Sequence, residues 1–302
     1  MSKHLTALLT LLALLAAATG CKGVQQTLNT AATTAGTVVQ QNPGLIKNEQ
    51  QRTQVLAAAK TVTAWTGEIG VPEEVAMGQS LAVRAFASFG QPYPDEALQT
   101  YVTTVGRLVA LQSERPTLPY SFAVVQSDTP NSLALPGGYI FISTGLLKML
   151  KSESELACIL GHEVCHVSQK HGVDIVARDR KVSSLVDFGT ALDKQVGQYR
   201  QFIDQTYTKL TTEGYDQRYE TIADKAGTGY AYRAGYFPGG LLPFLEAERT
   251  SSQGLAFETF KTHPDPAARI KEINSVLVTL GDYTKMPRVA DRYQTEVLSK
   301  LR

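Results

Sequence analysis

The feature that most constrains the fold of this chain is a pair of histidines four residues apart, His162 and His166, with Glu163 directly after the first. In an α-helix, side chains four residues apart lie on one face, one turn from each other. Both imidazoles can therefore bind a single zinc ion, and Glu163 is near enough to polarise the water that such an ion holds. The motif predicts a helix that carries part of a metal site. The alternative is a polar helix face whose histidines make only hydrogen bonds.

The residues around the motif predict where its helix begins and ends. Ser152 can cap the first turn, and Glu155, three residues later, can complete a capping box. A helix from about residue 153 to residue 170 follows, and Gly172 is a suitable stop. Apolar residues recur at helical spacing, so we expect the helix to be buried. They are Leu156, Ile159, Leu160, Val164 and Val167.

A third ligand is needed, because catalytic zinc holds three protein ligands and keeps one position for water. Glu220 and Asp224 lie one turn apart on a second predicted helix, which runs to about Arg233. Glu220 can complete a set of two histidines and one glutamate. Asp224 can accept a hydrogen bond from the other ring nitrogen of a ligand histidine and so orient it. A solvated acidic helix face is the alternative.

Three other residues near the motif are interpreted as structural. In the metzincin pattern a third histidine stands six residues after the second, but Gly172 occupies that position here, and His171 lies one position too early. A contact of His171 with the site is the alternative. Cys158 and Cys165 are about 10.5 Å apart along the helix, beyond the limit of roughly 7 Å for a disulfide. Both cysteines are therefore interpreted as small buried apolar residues.

The remaining patterning predicts an α+β fold. Two short strands, residues 120–125 and 139–143, are rich in β-branched and aromatic side chains, and turn-forming residues separate them. We expect a mostly helical domain over residues 67–302, with a small β-sheet beside the helix of the motif. Residues 21–66 are expected to form a tether and an N-terminal helix.

Composition and charge limit the classes of function. The chain has 302 residues, of which 43% are hydrophobic, and this suits a globular protein with a substantial core. Its 29 basic and 28 acidic side chains leave a net charge of +1, which argues against a nucleic-acid partner. Three cysteines cannot form a disulfide framework.

The first 20 residues predict a lipoprotein signal peptide. A positively charged start precedes an apolar run of about 14 residues, which is too short to span a bilayer. The small residues before Cys21 resemble the lipobox of bacterial lipoproteins, so Cys21 is expected to carry a lipid anchor in the periplasm. Lys22 suggests sorting to the outer membrane. An ordinary secretory signal is the alternative.

Taken together, the motifs resemble those of the zinc metallopeptidases related to the CAAX prenyl protease and to HtpX, in their soluble periplasmic branch. The resemblance covers roughly residues 72–276 and implies a zincin fold of the gluzincin type. Four landmarks occur in the order of that family. They are Asn131–Ile142, Gly161–His166, Glu220–Asp224 and His263–Arg269.

The resemblance implies a role for the motif residues. His162, His166 and Glu220 correspond to the ligands of one zinc ion per chain, and Glu163 corresponds to the general base. Each of these roles agrees with the chemistry that the residue types and their spacing predict.

Further roles follow from the resemblance. His263 and Arg269 correspond to a pair near the metal that steadies the developing oxyanion, and His263 can also cap the metal in a resting form. Asp265 and Pro266 predict the start of a helix, with His263 on the loop before it. A loop histidine with only structural hydrogen bonds is the alternative. The strand expected to align an extended substrate along its edge contains Gly138, Tyr139 and Ile140.

The implied function is zinc-dependent hydrolysis of peptide bonds in periplasmic or outer-membrane proteins, as part of protein quality control. The expected partners are a peptide or unfolded protein, and the membrane through Cys21. The alternative is a chaperone or assembly factor for outer-membrane proteins whose metal site is latent. The polar segment Lys181–Gly214 either covers the cleft as a lid or supports it, and the sequence leaves the oligomeric state open.

Overall fold

The computed structural model describes residues 69–183, 192–250 and 265–301. The expected signal peptide, the lipidation site Cys21 and the tether lie outside the described residues, and so does His263.

The chain divides into two compact units. One comprises Val71–Val176 and Ala191–Arg302 and contains the site residues considered below. The other comprises Met1–Gly70 and Ala177–Thr190, and of its residues the structure describes 69–70 and the helical stretch 177–183.

The described residues form ten α-helices and three β-strands, so the predicted α+β, mostly helical fold is confirmed. The strands are β1 (Ser121–Val125), β2 (Ser132–Leu135) and β3 (Tyr139–Ser143). The helices are α1 (Val71–Ser88), α2 (Glu96–Ala110), α3 (Thr144–Met149), α4 (Glu153–Ser168), α5 (His171–Ser183), α6 (Leu192–Thr212), α7 (Gln217–Arg233), α8 (Leu242–Thr250), α9 (Pro266–Leu277) and α10 (Ala290–Glu296). None of these helices has the length and apolar character needed to cross a bilayer.

The sheet has the strand order β1-β3-β2, with β3 parallel to β1 and antiparallel to β2. Two strands were expected, and the third, β2, lies in the stretch that was assigned to turns. Because β3 pairs on both sides, Tyr139 and Ile140 do not provide the free edge that was expected to align a substrate, and Gly138 lies in the turn just before the strand. The edge strand that packs against α4 is β2.

An ion pair with a buried carboxylate holds the turn that joins β2 to β3. Arg115 donates to both carboxylate oxygens of Glu74, at 3.0 and 2.7 Å, and the backbone N–H of Gly137 donates to the same carboxylate at 3.1 Å. Gly137 has a φ of 77°, which favours glycine, and a Cβ there would lie 2.7 Å from the Cα of Val75. The end of β2 is therefore fixed against α1.

Helix α4 carries the histidine motif and is buried along its whole length. As predicted, the Ser152 side chain caps it by accepting from the backbone N–H of Glu155. The predicted end is two residues too late, because α4 ends at Ser168 and the chain reverses at Lys170, whose φ of 59° is left-handed. Gly172 is not the stop, since it lies in the first turn of α5.

Helix α6 occupies most of the segment for which the sequence allowed either a lid or a support. It packs against α1, where Arg84 pairs with Asp204 at 3.0 Å and the Ser88 hydroxyl lies 2.6 Å from the Tyr207 hydroxyl. These contacts favour a supporting role for the C-terminal half of α6.

The two cysteines of α4 are free and buried, as predicted. Burial raises the pKa of the Cys158 thiol to about 12 and raises that of Cys165 as well. Both stay protonated near neutral pH and pack as small apolar side chains.

Candidate metal centre

Helix α4 presents two imidazoles to one buried point. His162 and His166 lie one turn apart, and their Nε2 atoms are 3.0 Å from each other. Both residues are buried, with only 4% and 2% of their surfaces exposed.

Helix α7 supplies a carboxylate to the same point. Glu220 is fully buried in its first turn, with one oxygen 3.3 Å from Nε2 of His162 and the other 3.4 Å from Nε2 of His166. Such an approach requires α4 and α7 to pack closely, and glycines permit it. A Cβ on Gly227 would lie 2.6 Å from the backbone nitrogen of His162, and one on Gly161 would lie 2.8 Å from the carbonyl oxygen of Gly227.

The spacing of these three side chains fits a single metal ion. A tetrahedral ion with bonds of about 2.0–2.1 Å holds its ligand atoms about 3.3 Å apart. His162, His166 and Glu220 offer one ligand atom each, all within 4.8 Å of one another, at the separations given above. Two imidazoles and a carboxylate form a donor set that suits zinc. The structure thus brings together the three residues, from two separate segments, that the sequence analysis singled out as candidate ligands.

Asp224 lies on the outer side of the His162 ring. Its Oδ1 is 3.0 Å from Nδ1 of His162, and Arg269 donates to both of its oxygens, at 2.9 and 2.7 Å. Burial raises the pKa of Asp224, but the Arg269 guanidinium outweighs burial and holds the pKa at about 2. Arg269 was expected beside the developing oxyanion; its described hydrogen bonds are to Asp224, the carboxylate next to His162.

The carboxylates favour positive charge at this point. Burial lowers the pKa of His162, but hydrogen bonding to Asp224 and Glu220 and their charges outweigh burial and raise the pKa to about 10. A cation bound at the Nε2 atoms would bring the charge that these groups favour.

The ring nitrogen of His166 that faces away from His162 lies next to a third histidine, His171. Nδ1 of His171 is 2.9 Å from Nδ1 of His166, and His171 is buried. Burial lowers the pKa of His171 to about 4, so that its ring is neutral near pH 7. The ring of Tyr215 stacks on His166 with centroids 3.9 Å apart. The sequence analysis treated His171 as structural and did not single out Tyr215.

Glu163 lies beside the cluster and contacts the edge strand. The hydroxyl of Ser132 on β2 donates to its carboxylate at 2.7 Å. Farther along β2, the carbonyl oxygen of Ala134 accepts a hydrogen bond from the hydroxyl of Tyr215 at 3.0 Å. Ser132 and Ala134 lie in the Asn131–Ile142 motif. The sequence did not predict their contacts with Glu163 and Tyr215, because β2 was not predicted as a strand.

Comparison with known proteins identifies the family. The sequence model of peptidase family M48 matches residues 96–277, which is more than half of the chain and includes α4 and α7. The chain belongs to peptidase family M48. The predicted resemblance is thus confirmed at the level of the family.

Individual relatives agree with this assignment. The M48 chain is 30% identical over 207 residues to the mitochondrial metalloendopeptidase OMA1 of Schizosaccharomyces pombe, covering 65% of this chain and 60% of that protein. It is 26% identical over 213 residues to the β-barrel assembly-enhancing protease of Yersinia pestis and 23% identical to that of Escherichia coli, covering 68% of this chain and 44% of each relative. The chain therefore matches about half the length of these relatives.

Proposed function

We propose that this chain is a zinc-dependent metalloendopeptidase in which His162, His166 and Glu220 hold the metal and Glu163 is the general base. The observation that carries the proposal is the set of ligand-atom separations, 3.0, 3.3 and 3.4 Å, between side chains of two helices, next to a glutamate of the same motif. Membership of the M48 family supports it.

The chain's own residues account for the proton transfers. Zinc in such a site acts as a Lewis acid and lowers the pKa of water to about 7. Glu163 takes the proton as water attacks the peptide carbonyl and then gives it to the leaving amine. Ser132, which donates to Glu163 at 2.7 Å, holds the carboxylate in place. Asp224, itself held by Arg269, orients His162. His263 remains a candidate to stabilise the oxyanion, on the resemblance alone.

The edge strand β2 is proposed to align the substrate in place of β3. Among the described strands it pairs only with β3, and it carries Ser132, which contacts the proposed base. Farther along β2, the carbonyl of Ala134 accepts a hydrogen bond from the hydroxyl of Tyr215, whose ring stacks on His166, so the strand runs beside the candidate metal centre. An extended peptide that adds to β2 by main-chain hydrogen bonds would bring its scissile bond beside Glu163 with little demand on its sequence.

The proposed location is the periplasm, with a lipid anchor at Cys21 that holds the protein at the outer membrane. The support is the lipobox-like sequence before Cys21. The proposed substrates are peptide segments of periplasmic or outer-membrane proteins. Two bacterial relatives are named as proteases that enhance β-barrel assembly, and this supports such substrates.

Zinc content and casein hydrolysis of the purified protein beginning at Cys21 test the proposal. We expect one zinc per chain and casein cleavage that stops with a chelator and returns with added zinc. Chelator-resistant cleavage, or a fully zinc-loaded protein that cleaves neither casein nor an unfolded outer-membrane protein, would contradict it. In the second case, rescue of outer-membrane protein assembly by the Glu163→Gln variant would favour the alternative of an assembly factor.

A further inference from the structure

We propose that His171 is a positioning residue that orients His166 through the ring nitrogen facing away from the metal. The inference rests on the proposed function, because it assumes that His166 is a ligand. His171 thereby takes the place that Asp224 has beside His162.

The two nitrogens of His166 face opposite groups. Nε2 is the atom that lies 3.0 Å from His162 and 3.4 Å from Glu220, so it faces the candidate metal position. Nδ1, on the other side of the ring, is 2.9 Å from Nδ1 of His171. His171 therefore lies behind His166, where it acts through that ring and does not reach the metal.

This contact selects one tautomer of each ring. An imidazole that binds a metal through Nε2 carries its proton on Nδ1, and the proton needs an acceptor. The neighbouring atom is Nδ1 of His171, which must accept and must therefore carry its own proton on Nε2. The resulting hydrogen bond holds the Nε2 lone pair of His166 toward the site.

A neutral partner suits this side of the centre. Glu220 and Asp224 already place two carboxylates on the cluster, and the guanidinium of Arg269 pairs with Asp224. A third buried carboxylate behind His166 would require its own counter-ion. A histidine that accepts through one nitrogen orients the ligand without adding charge.

The position of His171 is fixed by the first turn of α5. Its ring stacks on Tyr219 with centroids 4.1 Å apart and an interplanar angle of 14°, and the Tyr219 hydroxyl donates to Asp174 at 2.9 Å. The left-handed residue Lys170 turns the chain so that α5 starts beside α4, and its carbonyl accepts from the N–H of Asp174 at 2.9 Å. Tyr215 in turn stacks on the ring of His166.

Two amides of the same chemistry separate positioning from general packing. In His171→Asn the carbonyl oxygen can take the place of Nδ1, whereas in His171→Gln it lies farther along the side chain, nearer the place of Nε2. His171→Leu fills the space without an acceptor. Ser168→Ala is the matched control, because Ser168 is a buried polar residue of α4 whose hydroxyl contacts Glu114 and Tyr230 and not the histidines.

Zinc affinity, measured by competition with a chromophoric chelator, is the main readout, and the visible spectrum of the cobalt-substituted protein is the second. We expect His171→Leu and His171→Gln to bind zinc about 10- to 100-fold more weakly than wild type and to alter the cobalt spectrum. His171→Asn and Ser168→Ala should stay within about threefold. Thermal melting of the metal-free proteins verifies that each variant folds.

The outcomes distinguish this inference from the proposed function. If wild type binds no zinc, both fail. If wild type binds zinc and cleaves casein but the Leu and Gln variants bind zinc as tightly, the role of His171 is wrong and the proposed function stands. An Asn variant that is folded yet as weak as the Gln variant overturns the inference too, because the acceptor at Nδ1 would then make no difference.

Discussion

Glu163 and His166 lie on the same helix, and the proposed function gives them different roles that substitution can separate. Glu163→Gln keeps the shape of the side chain and its contact with Ser132 but cannot take a proton. We expect normal zinc content and casein hydrolysis reduced by at least about 100-fold. His166→Ala should lose both zinc and activity, since it removes a ligand. Metal analysis beside the protease assay distinguishes the two variants, and a Glu163→Gln protein that still cleaves casein would refute the mechanism.

Arg269 offers a second test at the level of single residues. Arg269→Ala leaves Asp224 buried without its counter-ion, so we expect a loss of about 3–5 kcal/mol in the free energy of unfolding. Lys225→Ala is the matched control. Lys225 pairs with Glu272, so this pair also joins α7 to α9, but the two side chains are 44% and 34% exposed. The control should lose no more than about 1 kcal/mol. Urea titrations with a chelator present measure the free energy of unfolding of both variants. Equal losses would contradict the expectation that the buried pair contributes more stability than the exposed one.

At the scale of elements, the approach of α4 to α7 depends on Gly227. An added methyl group would clash with the backbone of His162, so we expect Gly227→Ala to destabilise the protein by about 1–3 kcal/mol and to weaken zinc binding. The control is Gly229→Ala, two residues farther along the same helix. There a Cβ would meet only the side-chain end of Arg233, at 3.2 Å, and removal of a helical glycine should stabilise by up to about 1 kcal/mol. Calorimetry measures the stability of the two variants, and competition with a chelator measures their zinc affinity.

The elements that the sequence predicted correctly are those whose ends carry local signals. Ser152 caps α4, and the buried apolar spacing of that helix follows from its own residues. The start of α9 at Pro266, after Asp265, was predicted as well, although the Asp265 side chain makes no capping hydrogen bond. The contact of Glu220 with the histidines followed from the chemistry of zinc, which needs a third ligand.

The elements that the sequence missed depend on tertiary contacts. Strand β2 has four residues and lies between turn formers, and it is stabilised by pairing with β3 rather than by its own propensity. The chain reverses at Lys170, a lysine in the left-handed conformation that usually favours glycine, so nothing local predicted that α5 would bring His171 back to His166. The pairing of β3 on both sides likewise could not be inferred without β2.

At the scale of the whole domain, the C-terminal helix is tied to the start of the motif helix. Glu153, buried in the first turn of α4, receives hydrogen bonds from Arg292 of α10, from Tyr236 and from Tyr101. Burial raises the pKa of Glu153, but these donors outweigh burial and lower it below its ordinary value of 4.5. The anchor therefore connects the C-terminus to the element that carries the histidines.

This anchor makes stability depend on pH. Because the folded pKa of Glu153 is depressed, its contribution is present above about pH 4.5 and is lost as the pH falls through the folded value. We expect wild type to lose more stability than Glu153→Gln between about pH 6 and about pH 3. Glu246→Gln, which removes an exposed carboxylate paired with Arg249, should follow the wild-type profile. Urea midpoints across this range measure the effect, and parallel curves for wild type and Glu153→Gln would contradict it.

Metal binding should stabilise the domain as a whole, because the three proposed ligands come from two helices that are distant in sequence. A ligand that binds only the folded state adds about 2.7 kcal/mol when its free concentration is 100 times its Kd. Chelation should therefore lower the Tm of wild type, and added zinc should restore it. In His166→Ala the same chelator should leave the Tm unchanged, since no complete site remains. A Tm of wild type that is insensitive to the chelator, in a protein shown to release its zinc, would mean that the ligands reach their geometry without help from the metal and that the packing of α4 on α7 fixes the site alone.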